Sequence, residues 1–184
     1  MIGVLVSGTG TNLQALLDAG LPVSAIASST AGVQALERAE RASVPAAVFV
    51  EDDYADRAER DAAMADWLAK HGVETIVCAG YMQLLTPAFL ARFPCINVHP
   101  SLLPAFPGLD AVGQALAAGA EETGVTVHFV DEGVDTGPVI AQERVAIEPG
   151  DTAETLYARI REVEHRLLPE TVKLYLADAI RSPT

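Results

Sequence analysis

Ile2-Gly3-Val4-Leu5-Val6-Ser7-Gly8-Thr9-Gly10-Thr11-Asn12-Leu13-Gln14-Ala15-Leu16-Leu17-Asp18-Ala19 opens the chain, and its reading decides the fold. A short apolar run with β-branched residues gives way to a two-glycine loop and then to a helical pattern: strand, tight loop, helix, the start of a βαβ unit. Gly8 and Gly10 permit a sharp bend. The N–H groups of Gly10, Thr11 and Asn12 would then point out of the helix start, where the helix dipole also favours an anion. Two readings stand for this loop, a phosphate cradle and an ordinary βα turn capped by Thr11 or Asn12. It is neither a full GxGxxG, because Leu13 takes the last glycine position, nor a Walker loop, because the Lys and the Ser or Thr after it are missing.

Working outward, Val23 to Ser28 reads as a second strand and Val33 to Ala42 as a helix with Leu36 and Ala39 inward. Ala47 to Val50 is a third strand. The charged segment from Glu51 to Asp61 reads as a solvated face leading into a helix that ends near Lys70, with Met64, Trp67 and Leu68 at helical spacing. Val73 to Ala79 is a buried strand. Such alternation calls for a parallel sheet, with ligands at the carboxyl ends of its strands near the switch in strand order. The glycine loop, Gly80 to Leu85 and Asn97 to Pro104 all follow predicted strands, so one crevice can serve all three.

The second half changes character. Asp110 to Ala118 is a predicted helix. Thr123 to Val130 is a strand whose alternation puts Thr126, His128 and Val130 on one face, and Val139 to Ile147 returns antiparallel after an acidic loop. A long helix, marked at its start by Asp151, runs from Thr152 to about Leu176 with Leu156, Ile160, Val163 and Leu167 on its core face. Pro169 is expected to kink or divide it. The fold class expected is α/β: a Rossmann-like, mostly parallel sheet with helices on both faces, antiparallel strands in the C-terminal half and a long closing helix.

Composition narrows the functions. With 184 residues, half of them hydrophobic, the chain is sized for one well-filled domain. Its 12 Lys and Arg against 25 Asp and Glu give a net charge of −13, which argues against nucleic-acid partners, because that affinity comes mainly from cations on phosphates. A small anion held by backbone N–H groups remains compatible. Cys78 and Cys95 lie in apolar company without CxxC spacing and read as reduced packing residues, hence a cytoplasmic protein. No apolar run approaches the roughly 18 residues of a membrane span.

Asn97-Val98-His99-Pro100-Ser101-Leu102-Leu103-Pro104 carries the chemistry. Asn97 and His99 are two apart, so on an extended segment both side chains face one way. An amide and an imidazole so placed suit carbonyl chemistry. His99 alone also reads as an ordinary half-buried histidine. His71 reads as an inert surface residue, His165 as packed or bonded within its helix and His128 as a structural or supporting residue, and none has metal-ligand spacing.

Together with Ser7 to Gln14, Thr123 to Val130, Asp135-Thr136-Gly137-Pro138 and Glu164-His165, this stretch resembles the phosphoribosylglycinamide formyltransferases in order and spacing, from Met1 to about Leu176. The resemblance implies the formyltransferase fold as a single domain, 1–184, with a phosphate-binding βαβ half at 1–95 and a formyl-folate and catalytic half at 96–184. It implies transfer of a formyl group from 10-formyltetrahydrofolate, a cosubstrate, to the amine of glycinamide ribonucleotide in purine synthesis, without a metal. Asn97, His99 and Asp135 are then the catalytic trio. Formyl transfer passes through a tetrahedral adduct whose oxygen gains negative charge, so the site needs donors aimed at that oxygen and a proton carrier. Asn97 can donate, and His99 titrates nearest neutrality. Ser101 reads as a loop hydrogen-bonder, since the substrate amine is itself the nucleophile.

The resemblance assigns Gly10, Thr11, Asn12, Arg161 and Glu164 to the ribonucleotide, and Arg57, Met82, Gln83, Leu84, Leu85, Asn97, Val130, Asp131, Glu132, Gly133 and Val134 to the folate. Departures stand at Gln83 and Ala105, where several relatives carry a basic residue, and at Asp110, where a histidine is frequent. The partners implied are small molecules, with no nucleic acid and no membrane, the protein being a monomer or weak homodimer. The alternatives are a 10-formyltetrahydrofolate hydrolase and a non-catalytic folate- or nucleotide-binding module. The hydrolase is expected to carry an additional amino-terminal domain, and the related methionyl-tRNA formyltransferase a tRNA-binding one.

Overall fold

The computed structural model describes residues 1–182. The chain forms two compact units, one from Met1 to Asn97 and one from Val98 onward.

In the first unit, β1 (Ile2–Val6), β2 (Val23–Ser28), β3 (Ala46–Val48), β4 (Thr75–Cys78) and the start of β5 (Cys95–His99) run parallel in the order β3-β2-β1-β4-β5. Every residue of β1 and β4 is buried. That is why both read as uninterrupted apolar runs rather than alternating ones. The chain steps outward from β1 to β2 and β3, then crosses to β4 on the other side of β1. The strand order therefore reverses between β1 and β4, and the loops after β1 and β4 leave the sheet at the carboxyl ends of adjacent strands.

Helices α1 (Thr11–Asp18), α2 (Gln34–Arg41), α3 (Arg57–Lys70) and the single turn α4 (Pro87–Leu90) connect these strands, with a 3₁₀ turn at Glu51–Asp53. Two expectations change here. In α2 the buried residues are Ala35 and Ala39, with Leu36 half-buried. On α3 the charges are not all a solvated face: Arg60 and Asp61 are 0% and 1% exposed. The reason lies in the periodicity, since Arg60, Met64 and Leu68 are spaced by four and share one buried stripe.

In the second unit, α5 (Ala111–Ala117) precedes β6 (Glu122–Phe129), which pairs antiparallel with β7 (Val139–Ala146). The mostly parallel α/β architecture with antiparallel strands confined to the C-terminal half is thus present. Helix α6 (Ala153–Leu176) closes the chain. Its N-cap is Thr152, joined to Thr155 in a reciprocal capping box. The preceding Asp151 accepts from Thr155 Oγ1 at 2.8 Å and pairs with Arg159. Pro169 does not divide α6, which continues across it while Leu168, Pro169 and Val172 are buried. Packing of that face outweighs the one backbone hydrogen bond a proline removes. The buried stripe is Leu156, Ile160, Glu164, Leu168 and Val172, whereas Val163 and Leu167 are only half-buried. A carboxylate thus occupies a position that spacing reserves for an apolar residue.

Candidate functional site

Asn97 and His99 project from β5, Asn97 half-buried in register with Cys78 and His99 5% exposed. Beyond β5 the chain turns at Pro100 into a loop locked by hydrogen bonds. Ser101 Oγ donates to Ala105 O at 2.5 Å. Thr126 Oγ1 donates to Ser101 O at 2.7 Å and accepts from Leu103 N at 3.0 Å, and Gln142 Nε2 donates to Leu103 O at 2.7 Å. Ser101 is spent on its own loop, in agreement with its reading as a loop hydrogen-bonder. The Leu103–Pro104 peptide is cis.

This loop carries Phe106 and Gly108 to the imidazole and to Asp135. His99 Nε2 lies 2.8 Å from Phe106 O, an oxygen that can only accept, so Nε2 carries a hydrogen and donates there. His99 Nδ1 lies 3.3 Å from Asp135 Oδ2, which also accepts from Gly108 N at 2.8 Å. Nδ1 is the nitrogen at which a proton can be gained or lost. At 3.3 Å the contact is longer than the usual 2.7–2.9 Å of a charge-assisted bond, which leaves it free to yield to a reacting group. On the other side, His128 Nε2 stands 3.6 Å from Asp135 Oδ1. One carboxylate therefore lies between two imidazoles.

Asp135 adopts a left-handed backbone, φ +54, which Asp tolerates better than most residues. Gly137 explains the rest of its turn. A Cβ there would come within 1.9 Å of Phe129 O, so any side chain at 137 would push this turn off β6. Burial pushes the Asp135 carboxyl up, but the His128 hydrogen bond, the Gly108 amide and the charge of His99 together outweigh it and hold the group below the ordinary carboxylate range. The preceding loop closes on itself, Asp131 Oδ1 accepting from Gly133 N at 3.0 Å and Thr136 Oγ1 at 2.7 Å. Its residues Asp131, Glu132, Gly133 and Val134 are exposed and Val130 is half-buried.

In the first unit the glycine loop is built for close approach. Gly10, and neither Thr11 nor Asn12, caps α1, with φ +70 and no side-chain bond to the helix start. A Cβ at Gly10 would lie 2.7 Å from that of Ala35, so the left-handed cap and the approach of α2 both require glycine. A helix start with no side-chain cap is the geometry at which backbone N–H groups can receive an anion. Arg38, a residue the sequence did not single out, donates through Nε to Thr9 O at 2.8 Å and through Nη1 to Gln14 Oε1 at 3.1 Å. It sets a cation beside the loop from 29 residues away, a relation no local pattern announces. The next strand's loop adjoins this one: Ser7 N donates to Gly80 O at 3.0 Å and Met82 N donates to Ser7 Oγ at 2.9 Å. There Met82 and Leu84 are 65% and 50% exposed, apolar side chains held out at the carboxyl edge of the sheet, while Leu85 is buried. Arg57 is exposed at the first position of α3.

On α6, Tyr157, Arg161 and Glu164 follow at spacings of four and three and share a face. The Arg161 guanidinium carbon sits 4.8 Å from the centre of the Tyr157 ring, and Glu164 is 2% exposed. Burial and then the Glu164 charge push the Tyr157 hydroxyl up, Arg161 opposing them. Arg161 Nε is buried without a hydrogen-bond partner among the described residues, a donor left for an anionic ligand. His71, expected as an inert surface residue, is instead half-buried: its Nδ1 meets Trp67 O at 2.8 Å and its ring lies 4.3 Å from that of Trp67.

Comparison with known proteins adds a separate line of support. Residues 1–172 match the family model described as formyl transferase. The phosphoribosylglycinamide formyltransferase of Haemophilus influenzae is 42% identical over 188 residues, covering 98% of this chain and 89% of its own. The trifunctional purine biosynthetic protein adenosine-3 of Chironomus tentans is 44% identical over 98% of this chain, which spans only 14% of that longer protein. Among solved structures, glycinamide ribonucleotide transformylase 1 from Symbiobacterium toebii superposes with a TM-score of 0.96 at 45% identity, covering 99% of this chain and 90% of the other.

Proposed function

The chain belongs to the formyl transferase family, and from that premise we propose that it moves a formyl group from 10-formyltetrahydrofolate to the amine of N1-(5-phosphoribosyl)glycinamide in purine biosynthesis. The observation that carries this reading is the His99–Asp135 contact, with Asn97 two residues earlier on the same strand.

The amine nitrogen attacks the formyl carbon, forming the new C–N bond while the carbonyl electrons move onto oxygen. The Asn97 amide donates to that oxygen as it becomes negative, where a fixed donor counts most. His99 takes the proton released by the attacking nitrogen through Nδ1 and returns one to N10 of the folate as the C–N10 bond breaks. Asp135 stabilises the imidazolium in between and holds the ring, with Phe106 O fixing the opposite nitrogen. The products are formylated ribonucleotide and tetrahydrofolate, with no enzyme adduct.

Gly10, Thr11, Asn12, Arg161 and Glu164 receive the ribonucleotide. The amides at the start of α1 and the unpartnered Arg161 Nε support that reading. Arg57, Met82 to Leu85 and Val130 to Val134 receive the folate, a reading supported by the exposed apolar side chains of Met82, Leu84 and Val134. One domain carries both tasks, with phosphate binding in 1–95 and formyl-folate binding and chemistry in 96–184. The enzyme works in the cytoplasm on small molecules as a monomer or weak homodimer. No step above calls for a metal, and among the described residues no group of three His, Cys, Asp or Glu is arranged to hold one. No helix among them is long and apolar enough to cross a membrane.

Incubating the protein with both substrates and following loss of the formyl donor tests the reading. Consumption that requires the ribonucleotide is expected. Donor loss that ignores the ribonucleotide and yields formate would identify a hydrolase instead.

A further inference from the structure

Arg60 is the largest fully buried side chain of the protein among the described residues, and the chemistry above makes no use of it. A guanidinium has five N–H bonds, and here each finds an oxygen. Nε donates to Asp61 Oδ1 at 3.0 Å, Nη2 to Asp61 Oδ1 at 2.7 Å and to Leu84 O at 3.1 Å, and Nη1 to Glu51 Oε2 and Gln83 Oε1, both at 3.1 Å. The Asp61 carboxylate then accepts from Thr86 N at 2.7 Å through its other oxygen. Thr86 in turn caps α4. A two-residue ion pair on α3 therefore holds three points of one loop, 83, 84 and 86, and ties them to the 3₁₀ turn at Glu51–Asp53.

Stability alone does not account for this. Taking an Arg and an Asp out of water costs several kcal/mol each, and apolar residues of similar volume generally serve a core at least as well. What five directed bonds supply is a fixed conformation for the segment they grip. That segment carries Met82 and Leu84, 65% and 50% exposed, which gain less from packing against their own protein than core residues do. Side chains held out in water need their backbone fixed from behind if they are to present one surface.

We infer that Arg60, acting with Asp61, is a positioning residue that preorganises the loop Met82–Thr86 for the formyl-folate donor. The inference rests on the reading of that loop as part of the folate site. It also gives Gln83 a physical reason. The side-chain oxygen of Gln83 is an acceptor turned onto Arg60, and a basic residue at 83 would bring a second cation against a buried guanidinium. The cation of this neighbourhood is supplied from α3, and position 83 is an acceptor to match. Preformed loops bind more tightly because less ordering remains to be done on association.

The test is Arg60→Lys in the full chain. Lysine keeps the charge opposite Asp61, and with it the fold, but its compact ammonium has three donors and cannot span Gln83, Leu84 and Asp61 together. The expected result is a KM for 10-formyltetrahydrofolate raised by about tenfold or more, with the KM for the ribonucleotide within about twofold of the parent. Amide hydrogen exchange at Thr86, measured without ligand, should accelerate in the same variant. In the parent protein the Thr86 amide should exchange on the order of a thousandfold more slowly than an open-chain amide. A folate KM within about twofold of the parent, or both KM values rising together, overturns the assignment. So does fast exchange of the Thr86 amide in the parent, a result that stands even if Arg60→Lys fails to fold. Absence of turnover by the parent would instead remove the functional reading, and the exchange measurement would still judge the clamp.

Discussion

Replacing Asp135 by Asn tests the core of the proposed chemistry. The change is close to isosteric, and the Asn side-chain oxygen can still accept from Gly108 N, so the turn held by that 2.8 Å bond is kept. What is lost is one negative charge 3.3 Å from His99 Nδ1 and 3.6 Å from His128 Nε2. Coulomb's law at an effective dielectric of about 20 gives roughly 5 kcal/mol between that carboxylate and an imidazolium at the shorter distance. The amide dipole and local water return part of it, which leaves about 3–5 kcal/mol. In rate that is on the order of 10²–10⁴, the usual range for a general acid–base contribution. Steady-state assay of formyl-donor loss should therefore show kcat lower by that factor, with the KM for the ribonucleotide within about threefold. The same variant has a second signature. Because the carboxyl of Asp135 is held below its unfolded value near 3.9, its contribution to stability is present above that value and is lost as pH falls through the folded one. Asp135→Asn should thus lose that contribution at neutral pH and flatten the stability profile below about pH 4. A kcat within threefold of the parent would refute the role given to Asp135 and, with it, the paired role of His99.

Gly10→Ala places a methyl against Ala35 at a left-handed position; the KM for the ribonucleotide should rise by about tenfold or more while the KM for the folate donor changes little, and equal effects on both would argue against a phosphate role for the loop. Burial pushes the Cys78 thiol up to about 12. Its contribution to stability is complete below the unfolded thiol value near 8.5 and is lost as pH rises toward the folded one, a loss of about 2 kcal/mol by pH 10. Urea titrations at pH 7 and pH 10 should show that decline in the parent and less of it in Cys78→Ala, and identical declines in both would deny the thiol its part.

The strands and most helices were legible because burial on both faces leaves long apolar runs, and helices declare themselves every third or fourth residue. Two residues broke that pattern in the same way. Arg60 on α3 and Glu164 on α6 sit four residues from buried aliphatic neighbours on either side or on one side, in the positions apolar residues would take. A composition-based reading sends charges to solvent; strict attention to the i, i+4 spacing would have flagged both. The persistence of α6 through Pro169 was not legible, since the packing that outweighs a missing hydrogen bond comes from elsewhere in the chain.

By itself, the sequence determined the opening strand-loop-helix, the alternation that follows it, and the shared face of Asn97 and His99, because each depends on residues a few positions apart along a regular backbone. Only the tertiary structure decided which groups those residues meet. Asp135 reaches His99 across 36 positions and shares its carboxylate with His128, Arg38 reaches the glycine loop across 29, and Arg60 grips Gln83 across 23. Such contacts are set by how strands are ordered and where loops return, and a linear pattern of hydrophobic and polar residues carries no distance between segments that far apart.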